Sequence, residues 1–212
     1  GTSLHDVLKN FNGLLIKGKN PKEKEILELL DKYWVRFGYS NKKYEEQMKK
    51  RGREYLINYL ESNLYNFQKP PVLLEQPFVF SLDSCRVRGK IDRVDLAPNG
   101  IEIIDYKTSD FLNKDLPTDR EMKKNLQLSI YALAALEPTQ EIFGKKPEEI
   151  TLSLYFFDLG RKVSTTRTQK ELEEARKEIV KIKREIEVSD FECNKNYFCA
   201  NCEYKMFCEV SA

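Results

Sequence analysis

The sequence predicts an α/β fold: a mixed β-sheet flanked by helices, preceded by a helical elaboration and closed by a cysteine-rich tail. Three observations predict it. The first 65 residues carry apolar side chains at helical spacing. From Val72 to Tyr106 apolar and polar residues alternate, and turn signals divide that stretch into segments of strand length.

The elements follow in order. Asn20-Pro21-Lys22-Glu23 supplies an N-cap, a first-turn proline and an acidic third position. Ile26, Leu29, Leu30 and Tyr33 then share one helical face. A second long helix is expected over about Lys42 to Leu60, carrying Tyr44, Met48, Tyr55 and Tyr59 and many lysines on its polar face. After Pro70-Pro71, Val72 to Leu82 and Cys85 to Leu96 read as half-buried strands joined at Asp83-Ser84. Pro98-Asn99-Gly100 is a further turn signal and Ile101 to Tyr106 a third strand, which makes an antiparallel meander. Thr118 and Glu121 have capping-box spacing and open a helix expected from Asp119 to Leu136. Ile150 to Leu159 is apolar enough for a strand buried on both faces, with Arg161 to Thr166 as a partner. Thr168 and Glu171 repeat the capping-box spacing and start a charged helix that runs to about Val188.

The 212 residues suffice for one sizeable domain with a helical elaboration. With 41% hydrophobic and 33% charged residues, a soluble globular chain is expected. No apolar run approaches the ~20 residues of a membrane span, and no basic-then-apolar leader opens the chain. The chain begins at Gly1, within a motif, which suggests a piece of a longer protein. Thirty-six basic and 34 acidic residues leave a net charge of +2, so any nucleic-acid surface has to be local. Lys42, Lys43, Lys49, Lys50, Arg51 and Arg53 are either contacts to a DNA backbone or a solvated helix face. Four of the five cysteines, Cys193, Cys199, Cys202 and Cys208, fall in the last 20 residues. A disulfide framework spreads its cysteines through the fold; this clustering points to metal binding in a reducing cytoplasm. Cys85, at a strand start, reads as a small buried residue.

Two acids stand out by context. Asp92 lies in Arg88-Gly89-Lys90-Ile91-Asp92-Arg93-Val94-Asp95, and Asp105 in Ile103-Ile104-Asp105-Tyr106-Lys107-Thr108. Apolar strands exclude carboxylates because burying an unpaired charge is costly. Two carboxylates on adjacent strands repel unless a cation lies between them, and Mg²⁺ prefers such oxygens. Alternate strand residues face the same side, so Lys107 points with Asp105. An ammonium there assists attack of a metal-activated water on a phosphate and offsets charge developing in the transition state. Taken alone, Asp-x-Lys at a strand end is commonly a solvated ion pair, and Asp95 reads as a polar strand end. Gln127 and Tyr131, four apart on a helix, either line the site or satisfy each other in the core.

Together these residues resemble the PD-(D/E)xK nuclease superfamily, and most closely the RecB/AddA-type nuclease domains of UvrD-like helicase–nucleases. Gly1-Thr2-Ser3-Leu4-His5-Asp6-Val7-Leu8 resembles that group's opening helix. Gly89 to Asp95 and Ile104 to Thr108 resemble its two catalytic strands, and Gln127-Leu128-Ser129-Ile130-Tyr131 its helical Gln-x-x-x-Tyr motif. The order of the motifs is the family's order.

The resemblance implies a restriction-endonuclease-like core over residues 70–190. Residues 1–68 would be the helical part and residues 191–212 the tail of one nuclease domain. It implies a DNA nuclease using Mg²⁺ or Mn²⁺, with His5, Asp92, Asp105 and the Tyr106 carbonyl as metal ligands. Lys107 would be catalytic, with Gln127 and Tyr131 supporting the site. The substrate would be single-stranded DNA delivered by a helicase motor, in the same chain or a partner, during repair or recombination. A catalytically silent DNA-binding or scaffolding module is the alternative, although such relatives usually lose an acid or the lysine. Cys199, Cys202 and Cys208 match the family's C-terminal cysteines. The family's fourth precedes the histidine motif, and Cys193 is a local substitute, so the tail would hold a [4Fe–4S] cluster rather than Zn²⁺.

Overall fold

The computed structural model describes residues 2–62, 64–83, 85–108, 115–191, 197, 199, 202 and 205–208. Three helices come first: α1 (Thr2–Ile16), α2 (Glu23–Tyr33) and α3 (Lys42–Glu61). The meander is β1 (Leu73–Leu82), β2 (Cys85–Ala97) and β3 (Gly100–Lys107). Then come α4 (Asp119–Lys124), α5 (Leu126–Leu136), β4 (Ile150–Phe156), β5 (Arg161–Thr165) and α6 (Gln169–Val188). The strands form one sheet in the order β1-β2-β3-β4-β5. Every neighbouring pair is antiparallel except β3 with β4, where Asp105 lies beside Leu154 and Lys107 beside Phe156. A parallel pair needs a long crossover, which α4 and α5 provide. This is the mixed α/β sheet that the sequence predicts.

Helices cover both faces of the sheet. On one, Leu4, Val7, Leu8 and Phe11 of α1 pack with Ile26, Leu30, Leu56 and Tyr59 against Ile104, Tyr106 and Tyr155. On the other, Phe78, Phe80, Ile91, Ile103 and Leu152 pack with Leu128, Tyr131 and Leu133 of α5 and Leu172 and Ile179 of α6. Successive strand residues face opposite sides, so Ile103 and Ile104 enter different cores. β4 is buried on both faces, as its apolar run predicts. No helix among the described residues is long and apolar enough to cross a membrane.

Local chemistry sets the ends of these elements. Thr118 and Thr168 cap α4 and α6 through the expected boxes with Glu121 and Glu171. Gly100 turns the chain from β2 into β3 at φ +148, and a Cβ there would lie 2.1 Å from the Glu149 carbonyl oxygen. Three boundaries differ from the expectation. The helix after β3 is not continuous from Asp119 to Leu136: Asn125 leaves helical conformation at ψ 106, and its side chain accepts from Leu128 N–H. A mid-helix asparagine has that option because its side chain competes for backbone groups. Glu23 is the first residue of α2 and Lys22 its cap, so Pro21 precedes the helix and Asn20 accepts from the Lys22 ammonium instead of capping. β4 ends at Phe156, before the turn at Gly160. Cys85 is half-buried against the α5–α6 core.

Candidate active site

The last paired residues of β2 and β3 at this end of the sheet are Arg93 and Ile104. Beyond them the register would set Asp92 opposite Asp105, and the Asp92 side chain takes the place of a ladder carbonyl: its Oδ2 accepts from Tyr106 N–H at 2.9 Å. Asp92 and Asp105 are 7% and 3% exposed. The apolar stripe of α1 fixes His5 above them, with Nδ1 3.2 Å from Asp92 Oδ1. The same nitrogen lies 3.8 Å from Glu75 Oε1 on β1.

Glu75 is the residue that the sequence reading missed. It is buried and pairs with the Lys90 ammonium, and its backbone is left-handed at φ 48. For a non-glycine residue that conformation stores strain of order 1 kcal/mol or more, and such residues cluster at functional sites. A signal was available: Leu82 pairs with Cys85 across the hairpin, and counting back from that turn sets position 75 opposite position 92. Ligand atoms of His5, Glu75 and Asp92 lie within 4.8 Å of one another, the only such group among the described residues. Neighbouring ligands of one octahedral ion at ~2.1 Å stand roughly 3–4 Å apart, so the group fits a divalent cation after a small contraction.

Asp105 belongs to a second, adjoining arrangement. Its Oδ1 accepts from the Tyr131 hydroxyl at 2.9 Å. Its buried Oδ2 faces Lys107 Nζ at 2.7 Å, an ion pair without hydrogen-bond angles. Lys107 Nζ donates to Gln127 Oε1 at 2.7 Å, and Gln127 Nε2 donates to the Tyr131 hydroxyl at 2.9 Å. Lys107, Gln127, Tyr131 and Asp105 thus close a ring between β3 and α5. The break at Asn125 puts Gln127 in the first turn of α5, within reach of the lysine.

The electrostatics join the two groups. Burial raises the Asp105 carboxyl above its ordinary pKa; Lys107 pulls it down and the charge of Asp92 pushes it up again. Burial lowers His5, but Asp92, Glu75 and Asp105 together leave its imidazole raised. Burial and the charges of Asp105 and Asp92 push the Tyr131 hydroxyl up, so it remains a donor.

Asp95 is more than the polar strand end expected of it. Arg93, 1% exposed, donates from Nε and Nη2 to its two carboxylate oxygens at 2.7 and 2.8 Å. Arg93 Nη1 donates to the Tyr59 hydroxyl, which donates to Asn12 Oδ1. This buried network ties α1 and α3 to β2 one residue from Asp92. Of the basic residues on α3, Lys49 and Arg53 pair with Asp31, and Arg51 pairs with Asp158, so those three serve the fold. In the tail Cys193 lies outside the described residues, Cys202 is exposed, and Cys199 and Cys208 are half-buried.

A family model of the PD-(D/E)XK nuclease superfamily matches residues 1–209. No curated protein matches by sequence. The chain is similar to a candidate exonuclease from Eubacterium rectale at 13% identity and a TM-score of 0.43, covering 92% of this chain and 81% of that one. It is similar to SSO0001 at 14% identity and 0.41, covering 99% and 86%. It is also similar to VC1899 from Vibrio cholerae at 12% and 0.27, covering 85% and 55%.

Proposed function

The chain belongs to the PD-(D/E)XK nuclease superfamily, and on that premise we propose that it is a divalent-metal-dependent deoxyribonuclease working at this cluster. The observation that carries the proposal is the closed ring of Lys107, Asp105, Tyr131 and Gln127 set beside His5, Glu75 and Asp92. His5, Glu75 and Asp92 would hold the ion, Mg²⁺ or Mn²⁺, and Asp105 and the Tyr106 carbonyl would add further ligands. When bound, the ion supplies Lewis acidity toward the phosphate and a water activated for attack. As water adds to phosphorus and the bridging P–O bond breaks, negative charge builds on the phosphate oxygens, and the Lys107 ammonium offsets it. Asp105 and Gln127 grip that ammonium from two sides, so its position is set before substrate arrives. Tyr131 donates to Asp105 and holds the carboxylate in place.

The motifs around His5, Asp92, Lys107 and Gln127, in that order, support a RecB/AddA-type domain. It would cut single strands fed by a helicase motor, in the same chain or a partner, during DNA repair or recombination. One nuclease domain spans the chain, as a helical part (1–68), a core (70–190) and a tail (191–212). Cys193, Cys199, Cys202 and Cys208 offer four thiolates, which suit a [4Fe–4S] cluster in a reducing cytoplasm over Zn²⁺. Iron and sulfide analysis of anaerobically purified protein, with its visible spectrum, decides between the two. The test of the catalytic reading is cleavage of single-stranded DNA with Mg²⁺ or Mn²⁺. Lys107→Ala and Asp105→Ala each abolish it while the fold persists; undiminished cutting by both variants removes this site from the reaction.

A further inference from the structure

A cavity of about 290 Å³ is walled by Leu4, Trp34, Tyr39, Tyr44, Tyr55 and Thr108. Two of its lining residues are chain neighbours of site residues: Leu4 precedes His5 on α1, and Thr108 follows Lys107, the last residue of β3. The Trp34 and Tyr39 rings stack with centroids 5.8 Å apart and planes 8° apart, and Tyr44 stands edge-on to Tyr39. Gly38, at φ +85, reverses the chain so that Tyr39 folds back over Trp34. The segment is anchored at its Trp34–Val35 end: Trp34 Nε1 donates to Glu45 Oε1 at 3.2 Å, and Val35 N–H donates to Ser3 Oγ at 3.0 Å.

The rings are preset yet not sealed into the core. Trp34 and Tyr39 are half-buried and Tyr44 is 43% exposed. Such rings give a flat platform on which any base stacks, because every base presents a π-face. The cavity lies near the lower end of the ~300–1,000 Å³ span of small-ligand pockets, room for one heterocycle. Arg51 also lines it, lying over the Tyr55 ring and held there by Asp158, which closes that wall of the cavity. A base inside a duplex already has both faces stacked and its edge paired, so it cannot enter.

We propose that this aromatic cavity receives the unpaired nucleobase next to the scissile phosphate and so selects single-stranded over double-stranded DNA. The proposal rests on the nuclease reading of the adjoining cluster. Trp34 is the one tryptophan of the chain and reports on the cavity directly. Its fluorescence is titrated with a short oligothymidylate strand, and with the same strand annealed to oligoadenylate, using Ca²⁺ in place of Mg²⁺ to prevent cutting. The single strand quenches Trp34 and the duplex leaves it unchanged. Tyr39→Ala weakens single-strand binding roughly 5- to 150-fold, the range measured for loss of one base–aromatic stack, with binding followed by anisotropy of a labelled strand. Tyr39→Phe, which keeps the ring, retains wild-type affinity. Equal quenching by the duplex, or unchanged affinity in Tyr39→Ala, overturns the proposal even in a protein that cleaves DNA. Quenching by the single strand in a protein without any cleavage supports the cavity and counts against the catalytic reading instead.

Discussion

Replacing Asp95 with alanine strands a charge that the fold has taken out of water. Arg93 is 1% exposed and gives two of its nitrogens to Asp95. Without that carboxylate the guanidinium retains only the Tyr59 hydroxyl among these partners. Removing one member of a buried ion pair costs ~3–5 kcal/mol. The Asp95 side chain is 19% exposed, so water reaches part of the gap, and the lower end applies, ~3 kcal/mol. In a domain of this size each kcal/mol moves Tm by ~2–4 °C, so Asp95→Ala lowers it by about 6–12 °C. Thermal unfolding followed by far-ultraviolet circular dichroism measures this. A second arm separates pairing from packing. The Arg93→Met/Asp95→Leu double variant leaves no charge unpaired and recovers most of the loss, because apolar replacement of a buried pair is often neutral or better. A drop of less than about 2 °C for Asp95→Ala, or a double variant as unstable as the sum of its singles, refutes the reasoning.

Three further outcomes are expected. Tyr131→Phe removes the donor to Asp105 and lowers kcat for strand cleavage roughly 10- to 100-fold, from the ~1.5–3 kcal/mol of a hydrogen bond to a charged group; an unchanged kcat would show that Asp105 needs no such support. Glu75→Gln keeps the side chain's volume and removes the carboxylate charge that meets Lys90 and His5. Calorimetric titration of the same variant shows weaker Mn²⁺ binding, and unchanged binding excludes Glu75 as a ligand. Metal binding tightens as pH rises through the raised His5 value, above the ordinary ~6.5, because a protonated imidazole cannot ligate. The sign for stability is opposite. The His5 contribution to the metal-free fold is complete below the unfolded pKa and is lost as pH rises through the folded one. His5→Ala abolishes both dependences in paired titrations and melts.

The strands and caps were legible because their signals are local. Two-residue alternation, the Asp83 and Gly100 turns, and the Thr118 and Thr168 boxes each act over a few residues. The ring of Lys107, Asp105, Gln127 and Tyr131 was legible in part: spacing put Lys107 with Asp105 and Gln127 with Tyr131, and only the parallel β3–β4 crossover brought the two pairs together. Glu75 was not, because a lone acid in a hydrophobic strand gains meaning only from the residue across the hairpin. The Arg93–Asp95 network was not, since the Tyr59 hydroxyl that joins Asp95 in accepting from Arg93 lies on α3, 34 residues away, and is itself tied to Asn12 of α1. The break at Asn125 escaped because Asn125 and Leu126 continue the helical pattern, and only the capping geometry shows that the chain restarts there.

Three buried acids within one site are each faced by a basic group: His5 and Lys90 on one side, Lys107 on the other. Asp92 and Glu75 share His5, whose imidazole their charge raises against the effect of burial, and Glu75 also meets Lys90. Asp105 has an ammonium on its own strand, two residues away, fixed from the far side by Gln127. On the proposed reading a divalent ion would compete with a proton for His5, because a protonated imidazole cannot ligate, while Lys107 would stay beside Asp105. Metal loading would then change the charge at His5 while the Lys107 ammonium kept the position that Asp105 and Gln127 set.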